Sequence, residues 1–197
     1  MTFLLGLTGS IGMGKSTTAN MFRDMGISVW DADKVVHDLY EKNSSAIPII
    51  ESQIPGIIEN GAVDRDSLRL AIQHHPPLLK KIEHIIHPLV WENRNSFISQ
   101  NKHEPLLVFD IPLLFETGSD QDMDATLVVE TDYDTQRSRV LNRDGMTEEI
   151  FQSLLKRQMP NQEKASKANY VIRTDDMDQT RHDVASLVNK LTQGCVR

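Results

Sequence analysis

Gly9-Ser10-Ile11-Gly12-Met13-Gly14-Lys15-Ser16 decides the fold of this chain. It has the form Gly-x-x-x-x-Gly-Lys-Ser. The apolar run Phe3-Leu4-Leu5-Gly6-Leu7 precedes it and Thr17 to Met25 follows it. The run reads as a buried strand, and the following stretch as a helix closed by Gly26. A glycine loop between a strand and a helix is suited to cradling nucleotide phosphates. Its glycines let backbone N–H groups turn inward and approach an anion closely. The helix start adds unpaired N–H groups and the positive end of the helix dipole. Lys15 supplies a point charge for the β- and γ-phosphates, and Ser16 a small hydroxyl for Mg²⁺. The expected phosphate-contacting set is Gly9, Ile11, Gly12, Met13, Gly14, Lys15, Ser16 and Thr17.

Around this loop the chain has 197 residues, 39% hydrophobic and 25% charged, an ordinary globular composition. A chain this long buries roughly 70% of its unfolded surface, so it needs no staples. The net charge of −7, from 21 basic and 28 acidic residues, disfavours nucleic acid and anionic membranes as partners. A phosphate site must therefore draw on local basic clusters. Cys195 is the single cysteine, which excludes an internal disulfide and fits a reducing, cytoplasmic setting. No apolar run approaches the ~18 residues of a membrane span, and the N-terminus does not look like a signal peptide. An obligate protein partner is not expected.

Ile27-Ser28-Val29-Trp30 predicts a second strand running into Asp31-Ala32-Asp33, followed by a helix to Lys42. Asp33 sits where an N-cap would sit. It also sits at the strand edge where open α/β sheets bind ligands, and there it could accept a proton from a substrate hydroxyl. Residues 43–104 change character. Pro48 and Pro55 lie in a weakly periodic stretch, Asp64 to Ser67 opens a helix, and a longer helical pattern starts at Pro76-Pro77. Pro88 is expected to interrupt that pattern. The segment reads as an all-helical insertion between strands. His84 and His87, three apart, could share a face, but no third metal ligand stands at useful spacing.

Leu106 to Asp110 predicts a central strand ending in an acid. Asp110 fits either a Mg²⁺ ligand or a turn aspartate before Pro112. Ala125 to Glu130 predicts another buried strand. Gln136 to Arg143 reads as a helix on which Arg139 and Arg143, four apart, share a face. A second helix from Thr147 to Gln158 follows. Residues 133–167 hold seven basic and five acidic side chains in an otherwise acidic chain. That hairpin fits either a solvated, salt-bridged pair of helices or a lid whose arginines close on a transferring phosphoryl group. Tyr170 to Arg173 predicts a last strand and Asp178 to Gln193 an amphipathic helix. The order of elements indicates an α/β fold, a P-loop NTPase-type parallel sheet with helices on both faces.

Several stretches together carry a resemblance: Leu7 to Ser16, Asp31-Ala32-Asp33, Asp64-Arg65-x-x-Leu68, His87-Pro88, Pro112-Leu113-Leu114-Phe115-Glu116, and Gln136-x-x-Arg139-x-x-x-Arg143. In this order they resemble the dephospho-CoA kinases, small P-loop kinases, over nearly the whole chain. The resemblance implies ATP and Mg²⁺ as cofactors. It also implies transfer of the γ-phosphoryl group of ATP to the ribose 3′-hydroxyl of dephospho-CoA, the last step of coenzyme A synthesis. Three parts are implied: a nucleotide core (1–32, 104–132 and 168–197), a helical acceptor-binding insertion (33–103) and a lid (133–167). Carried across, Lys15, Asp33, Arg139 and Arg143 are catalytic, and Asp33 orients and deprotonates the hydroxyl. Arg65 and His87 bind the acceptor, and Ser16 and Asp110 hold the metal. At Ala168-Asn169 and Arg173-Thr174 the chain departs from the family's Ala-Asp, apolar strand and Asn-rich turn, so no adenine contact is carried over there. Another small-molecule kinase, such as a nucleoside-monophosphate kinase, fits fold and loop equally well, but the Asp-Ala-Asp element and the helical insertion favour the dephospho-CoA kinases. A GTP-binding switch needs Asn-Lys-x-Asp, and Asn189-Lys190-Leu191-Thr192 lacks the acid.

Overall fold

The computed structural model describes residues 2–193; Cys195 lies outside the described residues. The chain divides into two compact units, Met1–Asp31 with Asn101–Arg197, and Ala32–Gln100.

In the first unit the apolar runs become the strands of a parallel sheet, those at its centre buried on both faces. These are β1 (Phe3–Thr8), β2 (Ser28–Asp31), β5 (Leu106–Asp110), β6 (Ala125–Glu130) and β7 (Tyr170–Arg173). All pairings are parallel, in the order β2-β5-β1-β6-β7. Leu7 lies opposite Asp110 on one side and Leu127 on the other. The central strand thus delivers its loop to the middle of the sheet's carboxyl edge. Helix α1 (Lys15–Asp24) follows that loop directly, two residues earlier than expected. Its Ala19, Met21 and Phe22 pack with Leu5, Leu106 and Leu127 and with Val184, Leu187 and Leu191 of α9 (Met177–Gln193). The segment before β7 carries α6 (Tyr133–Leu141), α7 (Glu148–Arg157) and α8 (Asn161–Lys167). Asp132 caps α6 and Thr147 caps α7, each through a side-chain oxygen that accepts a backbone N–H.

The second unit contains α2 (Ala32–Tyr40), α3 (Ala46–Gln53), α4 (Arg65–His74) and α5 (Pro77–Gln100). Ile50, Ile54, Leu68, Ile82, Ile85 and Ile86 form the centre of its core. It is not all-helical. Ile58–Glu59 (β3) and Ala62–Val63 (β4) pair antiparallel across Asn60-Gly61. Asn60 (φ 53°) and Gly61 (φ 84°) both take the left-handed region that a two-residue hairpin turn needs. Nor does Pro88 end a helix: α5 runs through it for 24 residues. An interior proline removes one backbone hydrogen bond and costs about 3 kcal/mol. Burial of Ile82, Ile85 and Ile86 just before it holds the helix together.

Among the described residues, no helix is long and apolar enough to cross a membrane.

Candidate active site

The phosphate loop is pressed from several sides. Gly12 has φ 80°, and a Cβ there would lie 2.6 Å from Val140 Cγ2 and 2.9 Å from the Gln136 carbonyl oxygen. A Cβ at Gly14 would lie 2.8 Å from Thr174 Oγ1. The glycines are therefore required by space as well as by backbone conformation. Gly14 is the N-cap of α1 and gives no side-chain cap. The first-turn N–H groups of Lys15, Ser16 and Thr17 have no acceptor within the helix, which makes this end suited to an anion.

Lys15 Nζ pairs with Asp110 Oδ1. Asp110 is 3% exposed. Burial pushes its carboxyl above the ordinary aspartate range, the Lys15 charge and hydrogen bond pull it back, and nearby Asp31 adds to the rise. Asp31 and Asp110 end neighbouring strands in direct register, and Arg23 Nη2 stands 3.8 Å from Asp31 Oδ2. The carboxyl edge thus gathers two acids, a lysine and the loop donors. A hydroxyl (Ser16) with a carboxylate (Asp110) is hard-oxygen chemistry that fits Mg²⁺, which takes few protein ligands and keeps its waters. Among the described residues no group of three or more His, Cys, Asp or Glu could hold a metal ion, and His84 and His87 are both exposed on α5.

Four expectations need correction. Asp33 is not an N-cap. It lies within the first turn of α2, exposed, where its charge suits the helix dipole. Arg143 does not share a helix face with Arg139, because α6 stops at Leu141 and Arg143 stands exposed in the turn beyond. Arg139 is not a solvated side chain: it donates from Nη1 to Thr174 Oγ1 (3.0 Å) and from Nη2 to the Thr174 carbonyl (2.6 Å). Ile11 does not offer a spare amide, since its N–H donates to Gln158 Oε1 at 3.0 Å.

The basic segment is also less free than its composition implies. Gln136 and Val140 of α6 are buried, and Gln136 Nε2 donates to the Ile11 carbonyl at 2.7 Å. Lys164 is 0% exposed and ion-paired to Glu116 at 2.9 Å. Thr174, at the position where the chain departs from the family pattern, donates from Oγ1 to the Met13 carbonyl at 2.9 Å. Gln158, Asn161 and Thr174 all bear on the loop and went unrecognised in the sequence. They lie about 150 residues from it and no local motif marks them.

In the second unit, Arg65 follows the cap residue Asp64 and contacts His37 Nδ1 through Nη2. Its guanidinium carbon lies 5.8 Å from the centre of the Tyr40 ring. Burial raises the Tyr40 phenol and the Arg65 charge opposes that rise. His87 stands exposed on α5, outside this group.

A parallel sheet whose central strand feeds a glycine loop, with a lysine and strand-end acids beside it, defines a P-loop phosphotransferase. Comparison with known proteins narrows the class. A family model described as dephospho-CoA kinase matches residues 3–179. Dephospho-CoA kinase of Jannaschia sp. (strain CCS1) is 55% identical over 98% of this chain and 100% of its own length. That of Ruegeria pomeroyi is 46% identical over 98% of each chain. A Thermus thermophilus crystal structure superimposes with a TM-score of 0.86 at 28% identity, covering 96% of this chain and 97% of that one. Dephospho-CoA kinase from Campylobacter jejuni (TM-score 0.72, 23% identity, 98% of this chain and 99% of that one) and a shikimate kinase from Acinetobacter baumannii (0.52, 14%, 100% and 97%) share the fold. The chain belongs to the dephospho-CoA kinase family. It is an enzyme, a kinase of coenzyme A biosynthesis.

Proposed function

We propose that the residues of this chain divide between them the transfer of the ATP γ-phosphoryl group to the ribose 3′-hydroxyl of dephospho-CoA. The observation that carries this reading is the placement of Lys15 against Asp110 at the carboxyl edge, directly behind the loop donors. Phosphoryl transfer needs little covalent help from protein; it needs positioning and compensation of charge. The N–H groups of Gly12 and of Gly14 to Thr17 hold the phosphates, while that of Met13 donates to the Ser10 carbonyl at 3.1 Å, and Lys15 exchanges its carboxylate partner for the β- and γ-phosphate oxygens. Ser16 and Asp110 are the residues that would hold Mg²⁺, whose chemistry when bound is to neutralise charge on those same oxygens. Asp33 accepts the proton of the 3′-hydroxyl. Arg65 and His87 serve the acceptor. Arg143, in the exposed turn, compensates charge on the transferring group, while Arg139 acts from the nucleotide side through Thr174. ATP and dephospho-CoA are the only partners this scheme needs, and a cytosolic enzyme fits it.

The test is direct. The protein, ATP, Mg²⁺ and dephospho-CoA are expected to yield coenzyme A, identified by mass spectrometry as the 3′-phosphorylated product. Nucleoside monophosphates offered in its place are expected to give none. Asp33→Asn is expected to lower turnover by roughly 10²- to 10⁴-fold, as loss of a general base does. Its melting temperature should stay unchanged, since the side chain is exposed and caps nothing. Full turnover in Asp33→Asn would remove the base from the scheme.

A further inference from the structure

Two successive amides near the start of the phosphate loop are both committed to side chains from a distant segment. Ser10 N–H donates to Asn161 Oδ1 at 2.9 Å, and Ile11 N–H donates to Gln158 Oε1 at 3.0 Å. The Ile11 peptide is held from its other side as well, by Gln136 Nε2 on its carbonyl at 2.7 Å. Asn161 in turn donates from Nδ2 to the Val129 carbonyl at 3.2 Å, tying itself to β6.

The segment that supplies these acceptors is itself fastened. Between Gln158 and Asn161, Met159 N–H donates to Glu116 Oε1 at 2.9 Å. The same carboxylate pairs with the fully buried Lys164 at 2.9 Å. Lys164 Nζ donates to the Pro112 carbonyl at 2.9 Å, and that carbonyl also accepts from Thr8 Oγ1 at 3.0 Å. Thr8 is the last residue of β1, immediately before the loop. The hydrogen bonds therefore run in a closed circuit from the loop to residues 158–164, to Glu116 and Pro112, and back to the strand that carries the loop.

A glycine-rich loop on its own samples many backbone states, and converging N–H donors lose their value if they wander. Simple satisfaction of buried amides would need any nearby acceptor. This circuit uses two carboxamides on one segment, and a buried ion pair anchors that segment. We propose that Gln158 and Asn161 are positioning residues that hold the start of the phosphate loop, so that the donors of Gly12 and of Gly14 to Thr17 converge on a polyphosphate. The inference rests on the phosphate-binding part of the reading above but not on the identity of the acceptor.

The experiment pairs a variant with a probe that has no base or sugar. Gln158→Met keeps the side-chain length and removes the acceptor. It is expected to weaken binding of both ATP and inorganic tripolyphosphate, titrated calorimetrically, by the same factor of about tenfold, the weight of one well-placed hydrogen bond. Asn161→Ala is expected to act in the same direction. The melting temperature of Gln158→Met should move by less than about 4 °C. A loss seen with ATP but not with tripolyphosphate, or no loss with either, would overturn the proposal. A second measurement needs no variant. In the wild-type protein, amide exchange followed by NMR is expected to show Ser10 and Ile11 protected equally with and without ATP, while Gly14 to Thr17 gain protection on adding it. Protection of Ser10 and Ile11 that arises only with ATP would make them phosphate donors and refute the brace. A chain that binds tripolyphosphate in this way but makes no coenzyme A would refute the function and leave the brace standing.

Discussion

Gly12 and Gly61 share left-handed backbone, with φ of 80° and 84°, but are held in opposite ways. The nearest atoms that a Cβ at Gly61 would meet belong to the flexible Lys42 side chain, at 3.4 Å or more. The Asn60-Gly61 turn is built from its own residues and the two short strands it joins. A Cβ at Gly12 would run into Val140 and the Gln136 carbonyl, residues of a helix more than 120 positions along the chain. A turn that only reverses the chain can be local. A loop that must keep several N–H groups aimed at one point is held by tertiary partners on every side.

The largest test of this contrast is Gly12→Ala. It adds left-handed strain of about 1–2 kcal/mol and a steric overlap that displaces α6. Because several phosphate donors move together, turnover should fall by roughly 10³-fold, the upper end for loss of a preorganised site. Steady-state kinetics with ATP held far above its wild-type requirement would expose a weaker coupling, since near-normal turnover would mean the loop tolerates displacement.

Lys15→Ala comes next, with roughly 10²-fold lost from turnover. It also carries a stability signature. Removing the lysine leaves the Asp110 carboxylate buried and unpaired, which costs about 3 kcal/mol, or roughly 6–12 °C in a domain of this size. The sign with pH follows from the raised Asp110 pKa, which rises further once the Lys15 charge is gone. The folded state then binds a proton that the unfolded chain has released. Stability therefore falls as pH climbs from the ordinary aspartate value of 3.8 through the raised folded value. The deficit against wild type should be small near that ordinary aspartate value and grow as pH rises above it. Adding Asp110→Asn should remove most of it. A deficit that does not change with pH would mean Asp110 is not the group left stranded.

Arg139 and Arg143 sharpen the comparison within the hairpin. Arg139→Ala breaks two hydrogen bonds to Thr174, which itself holds the Met13 carbonyl. It should weaken ATP binding about tenfold. Arg143→Ala should leave directly titrated ATP affinity unchanged and lower saturated turnover instead. The opposite pattern would exchange their roles. The smallest effect is expected at the turn. Gly61→Ala should cost about 1 kcal/mol, a drop of roughly 2–4 °C, with kinetics untouched.

The loop was legible in the sequence because strand, glycines, lysine and helix follow one another without a gap. The parallel sheet was legible because buried parallel strands are apolar runs, and Asp110 because it ends one of them; the spatial order of the strands was not. The hairpin at 58–63 carried its Asn-Gly signal openly, but its strands of two residues are too short for alternation to register. Pro88 misled because a local rule met tertiary packing: the isoleucines at 82, 85 and 86 keep the helix intact. The place of Arg143 is not legible because Asn142, which ends the helix, fits a helix interior equally well by pattern. Gln158, Asn161 and Thr174 were illegible for another reason. Their partners are backbone atoms, and a backbone atom leaves no trace in residue identity.

The circuit through Glu116 and Lys164 also sets a schedule for synthesis. Ser10 and Ile11 leave the ribosome well before Gln158 and Asn161, which come 147 and 151 positions later. At typical elongation rates of about 5–20 residues per second, the nascent loop waits roughly 8–30 s for the side chains that shape it. β1 waits as well, since it pairs only with β5 and β6, both far downstream. A chain stalled before residue 158 should carry the entire phosphate-loop motif and still fail to hold ATP as the finished protein does. Competence for nucleotide therefore arrives long after the motif that defines it has been made.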